Sequence, residues 1–218
     1  MKHFYHIYAD GSWETPASEH FTALTKAGFD GDIHIGIVGR PAQRDAVVSY
    51  AGTLPLPITI AAQAGEGYEQ VTLDALHDWA ATAPAETPVL YAHTKGSAFG
   101  TSISGDSRRA MDYCQIHHWR ERVQALASGD YDAVGCHWLT PGEFPHIGPT
   151  PFFAGNYWWA QAGYLATLSP PQRNTRYDAE RWVGTGNPRI LDTSPPVITR
   201  WDETWNQFRY YCRTPGQD

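Results

Sequence analysis

Residues 58–92 read ITIAAQAGEGYEQVTLDALHDWAATAPAETPVLYA, and this stretch decides the fold. It opens on a short β run, Ile58–Ala61, and closes on another, Pro88–Ala92. Between them Tyr68–Ala83 is amphipathic, with Val71, Leu73, Leu76 and Trp79–Ala80 able to face a core at helical spacing. The two runs are too far apart for a hairpin, so the chain crosses over between them, and crossovers join parallel strands. Upstream the alternation repeats. His3–Ala9 reads as a strand, Pro16–Lys26 as a helix ending at Ala27-Gly28, Ile33–Val38 as a strand and Pro41–Tyr50 as a helix. The sequence therefore predicts an α/β chain with an open, mostly parallel, Rossmann-like sheet and helices on both faces.

Downstream, a longer helix is expected over Asp106–Ser128, with Ile116, Trp119, Val123 and Leu126 on one stripe. Gly129-Asp130 ends it, and Tyr131–Trp138 reads as a fifth strand. There the alternation stops. Pro141–Pro151 is a Pro/Gly-rich loop, Phe152–Trp159 an aromatic block, and Ala160–Leu168 and Tyr177–Val183 are short helical candidates. The tail from Asn187 is irregular and rich in Trp and Tyr. Neither a repeat nor a linker is visible, so one domain is expected over 1–218, its second half mostly site-building loops.

Composition limits the function classes. Charged residues are 18% and aromatics 13% of the 218 residues, the reverse of a disordered chain. No run reaches the ~20 apolar residues of a membrane span. The N-terminal MKHFYHIYADG enters a strand pattern with no apolar leader. Three widely spaced cysteines, Cys114, Cys136 and Cys212, form no CxxC pair, so a disulfide framework or thiolate zinc site is not expected. The expectation is a soluble, cytoplasmic protein of unknown oligomeric state. The net charge is −7, and the C-terminal arginines (Arg173, Arg176, Arg181, Arg189, Arg200, Arg209, Arg213) form no continuous basic run. An extended nucleic-acid duplex is a poor partner for such a field.

In open α/β sheets ligands bind beyond the carboxyl ends of the strands. Those ends carry Ala9-Asp10-Gly11, Gly39-Arg40, His93-Thr94-Lys95-Gly96-Ser97 and Cys136–Trp138. No GxGxxG or Walker-type glycine pattern follows a strand, which disfavours nicotinamide dehydrogenases and P-loop NTPases. HExxH, GxSxG and CxxC are also missing, against zinc protease, serine hydrolase and redox chemistry. His93, Thr94 and Lys95 at one strand end suit a phosphorylated ligand, with Gly96 admitting close backbone approach; a solvated Lys95 is the plain alternative. In PFFAGNYWWAQAGYL, rings beside Asn156 could serve as a sugar platform, or Trp158 and Trp159 could simply be core. In RYDAERWVG, Asp178 and Glu180 point roughly 200° apart on a helix, so one of them at most enters a site. Glu180, between Arg176 and Arg181 and beside Trp182, could be held ionised as a general base, or could be a surface carboxylate. His117-His118 are sequence neighbours and make no metal pair; His137 and His146, with Asp10 or Asp132, could form an oxygen/nitrogen site that no spacing singles out.

Three blocks in order, YAHTKGSA (91–98), YDAVGCHW with PFFAGNYWWA (131–160) and YDAERWVG (177–184), resemble small bacterial and phage glycosyltransferases with a reduced GT-A fold, related to the rhamnan-synthesis F type. HIYADGSWE and IGIVG look like the first two strands of that group, and the likeness spans about residues 3–184. The resemblance implies a GT-A-like sheet with a nucleotide-binding half (1–100) and a donor-sugar and acceptor half (101–218). It implies a nucleotide-diphosphate sugar lying near Ala9, Asp10 and Gly39 by its base and ribose, and near His93, Thr94 and Lys95 by its diphosphate. Gly155 and Asn156 would meet the donor sugar, Trp158 and Trp182 would form the sugar or acceptor platform, and Glu180 would be the base of an inverting transfer.

The sequence departs from the group in lacking a DxD motif at the fourth strand end. Either a divalent cation (manganese or magnesium) is held by other groups, with His93 and His137 as candidate ligands, or Lys95 and His93 supply the positive charge. Transfer passes through an oxocarbenium-like state while negative charge grows on the leaving diphosphate. Lys95 is the expected cation for that charge, and Glu180 the expected acceptor of the hydroxyl proton. The acceptor is a glycan, a protein or a modified nucleobase. Two rival readings share the fold: a phage enzyme glycosylating a hydroxylated DNA base, and a sugar-binding module without catalysis.

Overall fold

A computed structural model describes residues 1–97, 102–141 and 148–194. Cys212, His146, Arg200, Arg209 and Arg213 lie outside the described residues. Strands β1 (Lys2–Tyr8), β2 (Asp32–Val38), β3 (Ile58–Ala64) and β4 (Pro88–His93) alternate with helices α1 (Glu14–Lys26), α2 (Pro41–Ala51) and α3 (Gln70–Ala80). Then come α4 (Ser102–Asp112), a π-helical turn (Tyr113–His117), α5 (Trp119–Ala127), β5 (Ala133–Gly135), β6 (Trp138–Leu139), β7 (Phe152–Phe153) and β8 (Trp158–Gln161). The described part ends with α6 (Ala162–Thr167), α7 (Tyr177–Arg181), a 3₁₀ turn (Trp182–Gly184) and β9 (Ile190–Asp192).

One seven-stranded sheet has the order β3-β2-β1-β4-β8-β5-β9. β1 pairs in parallel with β2 and β4, β2 with β3, and β5 with β9, while β8 runs antiparallel to both neighbours. The expected α/β sheet, mostly parallel and covered on both faces, is what forms. One face packs Phe21, Leu24, Val47, Met111, Trp119 and Leu126 of α1, α2, α4 and α5. The other packs Leu73, Leu76, Leu165, Ala179 and Trp182 of α3, α6, α7 and the turn after it. The aromatic block divides by strand period: Tyr157 and Trp159 enter the first core, Trp158 the second.

The second half departs from the sequence expectation in three places. The helix over 106–128 is interrupted by the π turn and by His118, whose φ −104° and ψ 26° are not helical. The fifth strand shrinks to Ala133–Gly135, because His137 takes φ +60° and turns Trp138–Leu139 into a separate ribbon with β7. The tail, read as irregular, adds β9 in register with β5 (Ala133↔Ile190, Gly135↔Asp192).

A buried polar chain ties α4 to the sheet. Asp112 Oδ1 lies 2.7 Å from His20 Nδ1, His20 Nε2 lies 2.7 Å from His3 Nε2, and His3 Nδ1 lies 3.1 Å from the Leu90 carbonyl. His3 and His20 are fully buried, and the Tyr5 ring stacks on His20 at 4.2 Å.

Candidate active site

The chain leaves β1 toward β2 on one side and receives β4 on the other, so the carboxyl ends of β1 and β4 flank the sheet's topological switch point, where open α/β sheets take ligands. The two ends are tied together. Thr94 N donates to His6 O, Tyr8 N donates to Thr94 Oγ1 at 3.1 Å, and Ser12 N donates to Ser97 O. Only a glycine fits at position 11: a Cβ there would stand 2.6 Å from the Ser97 carbonyl oxygen. Gly96, at φ +82°, turns the chain just after Lys95.

Four chain segments meet at this point. His93 Nε2 donates to Gly155 O at 3.0 Å, and His93 Nδ1 faces Glu69 Oε1 at 3.4 Å. Glu69 Oε2 accepts from the Tyr91 hydroxyl at 3.0 Å and from Asn156 Nδ2 at 2.7 Å. Asn156 Nδ2 also reaches Ala179 O at 3.4 Å, and its Oδ1 accepts from Trp158 Nε1 at 2.7 Å. Since an indole can only donate, the amide orientation is fixed. Asn156 thus clamps the carboxylate before α3 to the backbone beside Glu180, from a left-handed φ of +55° that Asn tolerates. Gly155 is held by contact: a Cβ there would stand 2.6 Å from Met111 Sδ and 3.4 Å from Lys95 Cε.

The charges of Lys95 and Glu180 act on one another at this point. Burial pushes the Glu180 carboxyl up, the Lys95 ammonium pulls it down, and Glu69 pushes it up again, with smaller pulls from His93 and Arg176. Among the described residues neither the Lys95 nor the Glu180 side chain has a hydrogen bond or ion pair of its own. Asp178, by contrast, is spent in an ion pair with Arg181. The Lys95 backbone is fixed from behind, where Arg108 Nη1 donates to Lys95 O at 3.1 Å while Arg108 and Arg109 both grip Glu19.

Several sequence expectations need correction. Burial, reinforced by Lys95, lowers His93 to about 3, so its imidazole is neutral at neutral pH and brings no positive charge to a diphosphate. Thr94 and Asn156 are buried with their side chains already engaged, Thr94 by accepting from the Tyr8 N–H and Asn156 through all of its amide contacts, so both position the site. Trp158 is fully buried, stacked against Tyr91, and presents no ring face to a sugar. Trp182 is 2% exposed, with its indole N–H on Ser169 O, and only borders a cavity of about 320 Å³ that Asp178, Arg181 and Thr185 also line and Glu180 does not. His137 hydrogen-bonds through its backbone to Asp192 and Ser194, a group apart from His93. Among the described residues no three His, Cys, Asp or Glu side chains are arranged to hold a metal ion.

The ends of β1 and β2 stand together as expected. Gly39, at φ +152°, has no side chain to collide with Ala9 Cβ 3.0 Å away, and Asp10 Oδ1 accepts from Arg40 N at 3.1 Å and Arg40 Nε at 3.0 Å. Those bonds hold the Asp10 carboxyl below its usual range. Ala9 itself is buried. Glu69 is the site residue that the sequence reading missed. It closes the loop after β3, a strand end that carries a carboxylate just before a helix, which is the positional signal that could have found it.

Residues 4–185 match the family model described as Domain of unknown function (DUF8361), and the chain belongs to that family. This model is not one of the rhamnan-synthesis F type. No curated protein matches the sequence. Among solved structures, the chain is similar to a galactosyltransferase, LgtC, crystallised with donor and acceptor sugar analogues, at 12% identity and TM-score 0.46 over 88% of this chain and 73% of that one. It is also similar to a 4-diphosphocytidyl-2C-methyl-D-erythritol synthase, at 12% identity and TM-score 0.44 over 95% and 97%. No described helix is long and apolar enough to cross a membrane.

Proposed function

We propose that this DUF8361 member transfers a sugar from a nucleotide-diphosphate donor to an acceptor hydroxyl, with inversion, using Lys95 and Glu180. One observation carries the reading: a cation and a carboxyl of raised proton affinity act on one another at the switch point, and neither side chain has a hydrogen bond or ion pair among the described residues. Charged groups left unpaired in a folded protein are costly, and they are kept where a ligand completes them.

The diphosphate lies against the Lys95 ammonium, which stabilises the charge that grows on the leaving oxygens; one fixed donor of this kind is worth about 3 kcal/mol. Arg108 fixes the backbone from which that ammonium extends, through the Lys95 carbonyl. The base and ribose lie toward Asp10 and Gly39. Glu180 approaches from α7 and takes the acceptor proton; its raised proton affinity brings it nearer the working pH, where a general base is most effective. The clamp through Asn156, which ties α7 to the Glu69 carboxylate, supports this role for Glu180. The acceptor hydroxyl belongs to a glycan, a protein or a modified nucleobase.

The test begins with a thermal-shift screen of nucleotide sugars, with and without manganese, since a ligand of the native state raises the melting point. Donor hydrolysis and transfer to each acceptor class are then assayed in wild type and Glu180→Gln. Donor binding retained with transfer reduced ~100-fold or more is the expected result. Full turnover by Glu180→Gln, or no thermal shift with any nucleotide sugar, would sink the proposal.

A further inference from the structure

The cavity beside α7 measures about 320 Å³, at the small end of the ~300–1,000 Å³ that ligand pockets occupy. Its walls come from the loop after α6, from α7 and the turn that follows it, and from Thr150 ahead of β7. Three side chains pin the α6 loop. His77 Nε2 lies 3.0 Å from Leu168 O, Trp182 Nε1 donates to Ser169 O at 2.9 Å, and Gln70 Nε2 donates to Gln172 O at 3.1 Å. Gly186 closes against Leu168, where a Cβ would stand 2.6 Å from Leu168 Cδ2. The wall is therefore fixed before any ligand arrives.

The charge of the cavity is already balanced. Asp178 and Arg181 are the two charged residues that line it, and they pair with each other, their side chains 9% and 18% exposed. An anion meets the carboxylate there and a cation meets the guanidinium, and no three metal-ligating side chains converge among the described residues. The pair still has bonding capacity. Asp178 Oδ2 accepts from Thr175 N at 2.7 Å, which leaves lone pairs on the carboxylate. Arg181 spends Nε on Tyr177 O and Nη2 on Thr175 and Asp178, while Nη1 has no hydrogen bond among the described residues. The Thr150 and Ser169 hydroxyls have none there either. Trp182, at 2% exposed, gives a flat nucleobase no ring face to stack on, and Leu168 and Pro170 supply an apolar wall.

We propose that this cavity binds one neutral pyranose unit, a ligand with donors, acceptors and C–H faces on a single uncharged ring. Adjacent hydroxyls can accept from Arg181 Nη1 and donate to Asp178, and both of those bonds are charge-assisted. On α7, Asp178 and Arg181 border the cavity, whereas Glu180 acts on the charges at the switch point. A helix is ~10 Å across, a span that two or three linked sugar rings cover. In the transfer reaction proposed above, the unit held here belongs to the acceptor, which is then a glycan. That assignment rests on the nucleotide-sugar reading; the sugar site itself does not.

Nitrogen-15 NMR tests the site without any nucleotide. Methyl glycosides of glucose, galactose, mannose and rhamnose, as α and β anomers, are titrated while the Trp182 indole N–H and the Thr185 and Gly186 amides are followed. At least one glycoside should bind in the millimolar range and move these signals together, with glucose 6-phosphate and glucosamine binding no tighter. Ser169→Tyr fills the cavity from an exposed position, and Asp178→Asn removes the acceptor charge. Each should weaken glycoside binding ~10-fold or more, with Ser169→Tyr melting as the wild type does. No shift with any neutral glycoside, equal binding by Ser169→Tyr, or a preference for the phosphorylated sugar would overturn the site. Transfer kinetics judge the acceptor assignment: Ser169→Tyr should raise KM for an oligosaccharide acceptor ~10-fold or more. An unchanged KM beside lost glycoside binding overturns that assignment alone. If no nucleotide sugar is turned over, the transfer reading and the acceptor assignment fail together, while the glycoside titration still decides the site.

Discussion

Two clusters in this molecule are built from the same kinds of residue and have opposite characters. On one face of the sheet, Asp112, His20 and His3 are linked into a chain of three hydrogen bonds ending on Leu90 O. Three hydrogens suffice for it: an ionised Asp112 with one imidazolium, or a neutral acid with two neutral rings, fills every contact and leaves no net charge. At the switch point, Lys95 and Glu180 do not close in this way. Each acts on the other's charge, yet neither side chain has a hydrogen bond or ion pair among the described residues. Histidine and acid together therefore say little about function; whether the hydrogens and charges balance says much more.

Acid should disturb the molecule most. His6 is lowered to about 4, His93 to about 3 and His137 to about 4, each chiefly by burial. The unfolded chain binds protons on these rings near pH 6.5 and the folded one does not, so their stability contribution is complete above that pH and is lost as pH falls toward 3. Urea melts at pH 7.5, 5.5 and 4.5 should lose several kcal/mol over the series, and a flat series would show these rings to be solvated instead. Transfer should also fail on the acid side, along a limb above the ordinary glutamate value, because Glu180 must be ionised to act and its proton affinity is raised.

Asp112→Ala comes next. Removing the acid strands two buried imidazoles and should cost about 3–5 kcal/mol by chemical denaturation, with catalysis intact in whatever remains folded. Lys95→Ala should behave the opposite way, losing ~100-fold in transfer with stability within about 0.5 kcal/mol of wild type. If Lys95→Ala destabilises as much as Asp112→Ala, the contrast between the clusters is false. Thr94→Val should give the smallest effect, about 1 kcal/mol, by taking away the acceptor of the Tyr8 N–H.

The first half of the fold was legible because its signals are local. Ile33–Val38 and Pro88–Ala92 are short apolar runs with helices between them, and β2 and β4 fall within two residues of those bounds. The second half is governed by long-range pairing that no window of sequence carries. β9 exists because Ile190–Asp192 finds β5, and Trp158 is core because β8 is wedged between β4 and β5. The site was legible where chemistry sits at a strand end, as with Lys95. Asn156 read as a ligand-binding group because a sequence shows its amide and not the Glu69 carboxylate, Ala179 carbonyl and Trp158 indole that occupy it. Glu69 was hidden in the same way, since its partners Tyr91 and Asn156 stand 22 and 87 residues further along the chain.

The π turn at Tyr113–His117 sets the rotational phase between α4 and α5. It accommodates one residue beyond the α-helical count, so shortening it by one would rotate α4 by ~100° relative to α5. Trp119 and Leu126 could keep their seats in the core while Arg108 swung off the Lys95 carbonyl and Asp112 off His20. A single-codon deletion there would act as a wrench on the ammonium and the buried imidazole chain at once, which makes this loose coil of helix the timing gear between the stable half of the molecule and the reactive one.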